Sequence, residues 1–551
     1  METRRLIVFM VISVAILFGW QKFEESRRPP KPAVVANQTA NTSASKPAEM
    51  SAADSAQLKS SGRLKVTTDV LQLEIDAQGG DIRQVALLKH GDVTDPKKPV
   101  TLLQDVKDRT YIAQTGLFAD GMPNLPGPRT LFKLPGNEVK LPQGQDSVTV
   151  RLEAPELGGL KIAKLLTFKR GSYVIDVDYE ITNGSTMPVT MSSYYRLLRD
   201  GQAPVGDPKM LYTFTGPAVY TEQKKFQKLE FSDIDKDKAR DKYVASCDNG
   251  WIGIVQHYFT AVWLPASAKT PAESCDGKTE LRYDIKKVGN LYSVGVIRDV
   301  AAIAPGQTFK TGVPLFVGPI ETAMVAKLAP GLELTKDYGI FKVIASPLFW
   351  LLEKLHGLVG NWGWAIILLT VVVKAILYPL SAASYRSMAQ MKAMAPRLER
   401  LKEQFGDDRQ KFHQAMMELY KTEKINPLGG CLPMLLQMPI FMALYWVLVA
   451  AVELRHAPFM GWIIDLSATD PYFVWPLLLA GSMVVQTYMS PQPTDPMQAK
   501  MQRIMPIAFS VMFFFMPVGL VLYWLVNNLL TIAQQKFVEH QVEQAKKAAH
   551  A

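Results

Sequence analysis

The sequence predicts a multi-domain membrane protein. A large all-β domain is followed by an α-helical polytopic domain of about six spans, which carries a cytoplasmic helical hairpin. Three observations point there. Residues 62–335 alternate apolar and polar side chains with period two, as half-buried strands do. From Gly339 onward, long apolar runs dominate. One of those runs holds a lysine, Lys374, and no other run holds an Asp or Glu that could pair with it.

The first 25 residues place Arg4 and Arg5 before an apolar stretch, Leu6 to Trp20. A basic start and short apolar core also describe a signal peptide, but Phe18-Gly19-Trp20-Gln21-Lys22-Phe23 offers no small-residue cleavage site. The segment reads as an uncleaved transmembrane anchor with a cytoplasmic N-terminus. Residues 26–61 are rich in Pro, Ala, Ser, Thr, Asn and Lys and poor in large apolar groups. Such a chain buries too little surface to offset its ordering entropy and reads as a flexible linker.

In residues 62–335, Val66 to Asp76, Ser147 to Glu153 and Tyr173 to Ile181 alternate most clearly. Gly79-Gly80, Pro135-Gly136, Asn183-Gly184 and Pro305-Gly306 supply turns. The expectation is a large antiparallel β-sandwich. Gly277-Lys278-Thr279 resembles the end of a phosphate loop, but position 272 is Ala where a glycine is required, so it reads as a surface turn. His90 and His257 stand isolated, without metal spacing. The domain reads as a scaffold or docking module in preference to a sugar-binding cleft. Of the three cysteines, Cys247 and Cys275 could form a disulfide if the domain is exported, or remain two thiols. No CxxC pair suggests zinc, and no metal or cofactor is expected.

Residues 336–361 place Phe341, Ile344, Leu348, Leu351, Leu352, Leu355 and Leu358 at helical spacing, with Pro347 expected to break the helix. An amphipathic helix in the outer interface is expected; the competing reading is the β-domain's own last helix. The membrane domain proper spans 362–535. Its apolar runs are Trp362 to Leu380, Cys431 to Val452, Pro471 to Met489 and Ile504 to Thr531. The last would measure roughly 40 Å as one helix, against a hydrocarbon core of about 30 Å. Pro517-Val518-Gly519 therefore divides it into two short pieces. The loop Ser381 to Gly430 is strongly basic and reads as cytoplasmic, whereas Glu453 to Asp470 has only Arg455 and His456 as potential cations and reads as outside. A basic tail, 536–551, completes the chain, with both termini cytoplasmic. Spans shorter than the bilayer thin it locally.

Residues 384–424 carry two helical patterns separated by Gly406-Asp407-Asp408, with glycine ending one helix and Asp capping the next. Pro396 should kink the first. Met388, Met391, Met394, Met416 and Met417 make this hairpin methionine-rich. Methionines at this spacing either pack the two helices together or offer an adaptable surface to varied apolar partners.

Lys374 is expected to share a helix face with Thr370 and Tyr378. An intramembrane lysine costs several kcal/mol unless it reaches water or a partner, so it must face a hydrated cavity or snorkel to the cytoplasmic edge. Gln437, Gln486, Thr487, Tyr523, Asn527, Asn528 and Thr531 add polar groups within the apolar runs. Each could be an interhelical link; together with an unpaired lysine they suggest a polar groove.

Seven stretches carry a resemblance. Gly360-Asn361-Trp362-Gly363, Tyr378-Pro379-Leu380, Asn426 to Cys431, Gln437-Met438-Pro439-Ile440-Phe441, Asp465-Leu466-Ser467 with Thr494-Asp495-Pro496-Met497, and Gly519 to Trp524 resemble the YidC/Oxa family of membrane protein insertases. The first span and large β-domain are similar to the family's Gram-negative form. The resemblance implies a periplasmic β-supersandwich like that of galactose mutarotases, without sugar chemistry, in a bacterial inner-membrane protein. It implies insertion, folding and assembly of integral membrane proteins without ATP. The implied partners are nascent membrane proteins, ribosome–nascent chain complexes, membrane lipid and the Sec translocon (SecYEG, SecDF). The implied groove contains Lys374, Thr370, Tyr378, Gln437, Phe441, Tyr523, Trp524 and Asn527. Bacterial members commonly carry Arg where this chain has Lys374, so charge is kept but the planar fork is lost.

Other classes fit less well. An intramembrane protease could use Ser482, but no histidine lies inside a span to activate it. A transporter would show internal repeats. A membrane-anchored periplasmic carbohydrate-binding or docking module leaves the membrane block unexplained. A formal charge of +10, without basic runs interleaved with aromatics, argues against nucleic acid.

Overall fold

The computed structural model describes residues 60–93, 95–205, 207, 213–265, 281–336, 338–406, 408–423, 432–489 and 496–550. The expected anchor at 1–25, most of the linker at 26–61, Gly277-Lys278-Thr279, Cys275 and the Asn426 to Cys431 stretch lie outside them.

Period-two alternation does give strands. Val174–Asn183 alternates half-buried and buried residues along its whole length, with Ile175, Val177, Tyr179 and Ile181 inward. Two nine-stranded sheets result. One runs from Leu281–Val288 through Leu291–Ile303, Val189–Arg199, Arg109–Phe118, Pro99–Val106, Ile82–Gly91, Leu71–Asp76 and Arg63–Thr67 to Glu138–Lys140. The other runs from Lys225–Lys228 through Gly216–Thr221, Trp251–Gln256, Phe259–Trp263, Leu315–Pro319, Val174–Asn183 and Leu160–Lys169 to Ser147–Glu153, with Thr308–Gly312 also on Val174–Asn183. Pairing is antiparallel except where Arg63–Thr67 meets Glu138–Lys140. Several buried polar groups inside this domain are hydrogen-bonded. Lys164 Nζ donates to Gly80 O at 2.6 Å, Gln114 donates to Asp81 at 2.7 Å, and Arg196 donates to Gln114 at 3.0 Å. Cys247 is buried and disulfide-bonded.

The helical block begins with α1 (Lys342–Val359), α2 (Trp362–Ile376), α3 (Tyr378–Ala393), α4 (Ala395–Phe405) and α5 (Arg409–Thr422). It continues with α6 (Leu432–Ala450), α7 (Val474–Met489), α8 (Pro496–Ser510) and α9 (Val518–His550). Several expectations need correction. Pro347 does not break α1: the carbonyl that loses its donor belongs to Val343, on the exposed side of the helix. α1 packs through Ala345, Phe349 and Leu352 into the helical core, not into the β-domain. The span expected to reach Leu380 stops at Ile376, and the chain turns by 68° into α3. Pro379 explains the break, since it cannot donate to the preceding turn and disfavours helical geometry at Tyr378. The tail from 536 is no separate segment: α9 continues through it to His550, and its Val538 packs with Ala382 and Tyr385 of α3.

Other expectations agree. The apolar stretch from 504 divides at Pro517, after a 3₁₀ turn at Val511–Phe515. Pro396 separates α3 from α4, and Asp408 accepts from the Lys411 N–H to cap α5. No single described helix is long and apolar enough to cross a membrane, while the bent pair α2–α3 passes by length and composition.

The loop after α6 seats the β-domain. Val452 enters the β-domain core. Glu453 pairs with buried Lys336 at 2.9 Å, Lys336 lies 3.5 Å over the Phe349 ring, and Arg455 lies 5.9 and 5.3 Å over Tyr258 and Phe259. His456 pairs with Asp465 at 3.1 Å and meets Gly91 O at 3.3 Å. His90 and His257 are therefore not isolated, because both feel the charge of Arg455. Burial first, and Arg455 second, push each imidazole down to about 4.

A prediction follows from the sign of these shifts. Unfolded histidines take up protons near their ordinary value of 6.5, whereas these two stay neutral in the folded chain until about 4. Their contribution is full above pH 6.5 and declines as pH falls through that window. Thermal melting of the full-length protein in detergent should show a midpoint that drops on acidification across it. A His90→Gln/His257→Gln chain should show a shallower drop; an unchanged pH slope refutes the assignment.

Candidate functional site

The site is built on α2 and α9, and local sequence fixes both. Asn361 caps α2 by accepting from the Trp364 N–H, while its amide donates to Pro458 O at 2.9 Å. Gly363 is required because a Cβ there would collide with the Phe459 ring. At the start of α9, Pro517 is followed by N–H groups that the helix cannot satisfy itself. Val518 N donates to Ala468 O at 2.8 Å and Gly519 N to Leu466 O at 2.9 Å. The Asp465-Leu466-Ser467 stretch thus supplies carbonyls to the final helix. Buried Asp470 accepts from Trp462 Nε1 at 2.9 Å and from the Trp475 N–H at 2.8 Å, at the entry to α7.

Along α9, a polar or charged residue recurs every fourth position: Tyr523, Asn527, Thr531, Gln535 and Glu539. Four-residue spacing keeps them on one face. Tyr523, Thr531, Gln535 and Glu539 each reach a neighbouring helix. Tyr523 OH accepts from Gln437 Nε2 of α6 at 3.4 Å. Thr531 Oγ1 donates to Asn527 O at 2.7 Å and accepts from Lys374 Nζ of α2 at 2.8 Å. Gln535 donates to Met489 O of α7 at 3.3 Å and to Glu539 at 3.2 Å. Glu539 pairs with Lys392 of α3 at 3.8 Å. Beside this column, Asn528 donates to Ser482 Oγ at 3.3 Å, and Ser482 donates to Leu479 O at 2.7 Å.

Lys374 is only 6% exposed. It does not snorkel: its ammonium points into the bundle, to Thr531. Among the described residues it makes no ion pair. Thr370 is buried on the same helix and donates to Ile366 O at 2.7 Å. Tyr378 does not share that helix. It lies beyond the 68° turn and packs beside Ala382, Tyr385 and Val538. Phe441 stacks on Tyr523, centroids 6.3 Å apart, and meets Trp524 edge-on at 4.4 Å. Gln437, Phe441, Tyr523 and Trp524 therefore form one amphipathic cluster, and Lys374, Asn527 and Thr531 a second, further along α9.

Sequence reasoning missed Gln535, Glu539 and the linking role of Ser482. The signal for the first two was the four-residue period continuing past Thr531. In the hairpin, Met394 is buried and Met388 packs on the Ala382–Tyr385–Val538 cluster. Met391 and Met416 are half-buried, and Met417 is 46% exposed. Among the described residues no group of His, Cys, Asp and Glu could hold a metal.

Comparison with known proteins covers almost the whole chain. Residues 63–351 match the family model of the YidC periplasmic domain, and residues 354–546 match that of the 60Kd inner membrane protein. The membrane protein insertase YidC of Laribacter hongkongensis (strain HLHK9) is 52% identical, over 98% of this chain and 98% of its own length. That of Neisseria meningitidis serogroup C is 47% identical over 99% of both. A crystal structure of active YidC insertase with the first transmembrane domain resolved is similar over 86% of this chain and 92% of its own, at 20% identity and a TM-score of 0.38. A galactose mutarotase related enzyme from Lactobacillus acidophilus is similar over 46% of this chain and 97% of its own, at 9% identity and a TM-score of 0.27. Sequence identity sustained across both the β-domain and the helical block decides the matter: the chain belongs to the YidC family of membrane protein insertases.

Proposed function

We propose that this protein inserts and helps fold integral membrane proteins of the bacterial inner membrane, and that Lys374 attracts the acidic polar flank of an incoming chain. One observation carries the reading. A cation is buried among apolar helices with a single hydroxyl as its partner among the described residues. A structural ion pair would have its carboxylate beside it; this charge has attraction left over. The flank enters from the cytoplasm along the polar face of α9, past Lys374 toward Gln437 and Tyr523, while the apolar segment slides into lipid. The step is non-covalent and consumes no nucleotide. Short apolar helices assist: α2, at 15 residues, spans roughly 22 Å and thins a hydrocarbon core of about 30 Å.

In this reading the β-domain and the loop after α6 are periplasmic, α1 lies in the outer interface, and the α4–α5 hairpin and both termini are cytoplasmic. The hairpin receives nascent chains from the ribosome, most directly through exposed Met417. The Sec translocon is the expected partner for larger substrates. Cys247 is taken to pair with Cys275 in the oxidising periplasm.

Lys374→Ala should slow insertion of a single-span substrate with an acidic translocated flank by roughly tenfold, equivalent to about 1.4 kcal/mol of attraction. Lys374→Arg should retain activity. Protease protection in proteoliposomes reads both, and full insertion by a folded alanine variant refutes the role. A second prediction concerns the acceptor. Thr531→Val should lower thermal stability by about 1–3 kcal/mol, because it strands a buried ammonium, whereas Thr531→Ser should be near neutral. A third concerns the route: photocrosslinkers at Gln437 and at Met417 should capture a ribosome-bound substrate. Capture at neither position sinks the proposed path.

A further inference from the structure

We propose that residues 460–473, in the loop after α6, form an aromatic wedge seated where the headgroups of the outer leaflet meet its acyl chains. The inference rests on the proposed placement of this loop at the outer face, and it adds the lipid surface as the loop's partner.

The exposed surface of this stretch carries no charge. Between positions 457 and 473 only Asp465 and Asp470 are charged, and neither is exposed. Asp465 pairs with His456 at 3.1 Å and accepts from Ser467 Oγ at 2.7 Å, while Asp470 is buried. What faces outward is apolar or aromatic. Ile464 is 72% exposed, Tyr472 67% and Trp462 41%, and Met460 and Phe473 are exposed as well. A loop bathed in water ordinarily carries polar residues at such positions. These side chains are also held in place, by Asp470. Its carboxylate accepts from Trp462 Nε1 at 2.9 Å, from the Tyr472 N–H at 3.1 Å and from the Trp475 N–H at 2.8 Å. Its carbonyl accepts from the Phe473 N–H at 3.2 Å, and Phe473 sits at φ 57°, a left-handed conformation rare for a bulky side chain. Trp462 and Tyr472 meet edge-on, with ring centroids 5.8 Å apart.

The surroundings point to what covers this surface. Phe473 packs on Phe514, centroids 5.6 Å apart, next to exposed Phe515. From Phe473 the exposed apolar residues run on into Leu477 and Leu478 of α7. Under the proposed function those leucines face acyl chains, so the wedge extends a lipid-facing surface outward. Trp and Tyr are the side chains that favour headgroup level, where an apolar ring body meets a wet edge. A plainer role for the rings is packing against one another. That accounts for Trp462 and Phe473 and leaves Ile464 and Tyr472 uncovered. A protein partner would cover them too, but leaves the continuity with α7 unexplained. The seat matters for α9, because Leu466 O and Ala468 O, inside the wedge, accept from Gly519 N and Val518 N. The depth of the wedge therefore sets the depth of α9 and its polar column.

The test uses the full-length protein in liposomes of phosphatidylglycerol and phosphatidylcholine. A photocrosslinking residue is placed at Ile464, at Tyr472, at Leu478 of α7, or at Met187, which is exposed in the turn before the strand Val189–Arg199. Adducts are counted by mass spectrometry. Ile464 and Tyr472 should capture lipid as Leu478 does, and Met187 should not. Because the wedge exposes no charge, the two lipids should be captured in proportion to their abundance, at low and high salt alike. Ile464→Asp should cut capture at Tyr472 about tenfold, the worth of taking one partly exposed apolar side chain out of lipid, while Ile464→Leu should preserve it. Capture at Leu478 in the same variants should not change. Capture at Leu478 with none at Ile464 and Tyr472, or adducts to protein there in place of lipid, overturns the wedge and leaves α7 as a span. Capture that follows phosphatidylglycerol alone also overturns it. No lipid adduct at Leu478 overturns the proposed membrane placement itself.

Discussion

A charged group inside an apolar helix bundle constrains everything around it. Lys374 is buried in α2, and desolvating an ammonium costs several kcal/mol unless an acceptor is placed for it. The acceptor is Thr531, whose own proton goes to Asn527 O. Thr531 must therefore face α2, and the period of the helix then fixes where Tyr523, Asn527, Gln535 and Glu539 face. The partners of Tyr523, Gln535 and Glu539 lie on α6, α7 and α3. One polar column so reaches each neighbouring element, and the lysine sits near its middle.

The two ends of that column are built differently. On the β-domain side the helices are tied by backbone. Leu466 and Ala468 satisfy the first N–H groups of α9, and Asp470 holds the entry to α7. The loop after α6 is locked to the β-domain by Val452, Glu453 and His456. On the other side α2 ends after 15 residues and turns by 68° into α3, which meets α9 through the Ala382–Tyr385–Val538 cluster and the Lys392–Glu539 pair at 3.8 Å. An exposed ion pair at that length contributes little.

How much of this was legible varies with the physics involved. The β-domain was, because alternation such as that of Val174–Asn183 follows directly from one inward face. The order of its two sheets was not, since pairing between strands far apart in sequence leaves no local trace. The division at Pro517 was readable from one residue, and the turn at Leu377 should have been, because Pro379 carries the same information as Pro517. Continuous hydropathy from Trp362 to Leu380 hid it. Pro347 misled in the opposite direction, because a proline is tolerated where the freed carbonyl faces outward. Lys374 was recognised as costly, but its partner was sought among carboxylates, and a hydroxyl 157 positions away answered instead. The sandwich histidines looked isolated because Arg455 and His456, which surround them, come from the far side of the helical block's first spans.

Lysine rather than arginine at position 374 fits the geometry around it. A guanidinium presents five donors in a fixed plane and needs several acceptors to be buried. Thr531 offers one oxygen, and its lone hydroxyl proton is committed to Asn527. An ammonium with three rotatable donors can keep that one bond and still turn its remaining protons toward an arriving carboxylate. In the role proposed for Lys374, the single hydroxyl is the resting contact of the charge, weak enough to share and directional enough to hold the side chain inside the bundle until a substrate supplies the stronger partner.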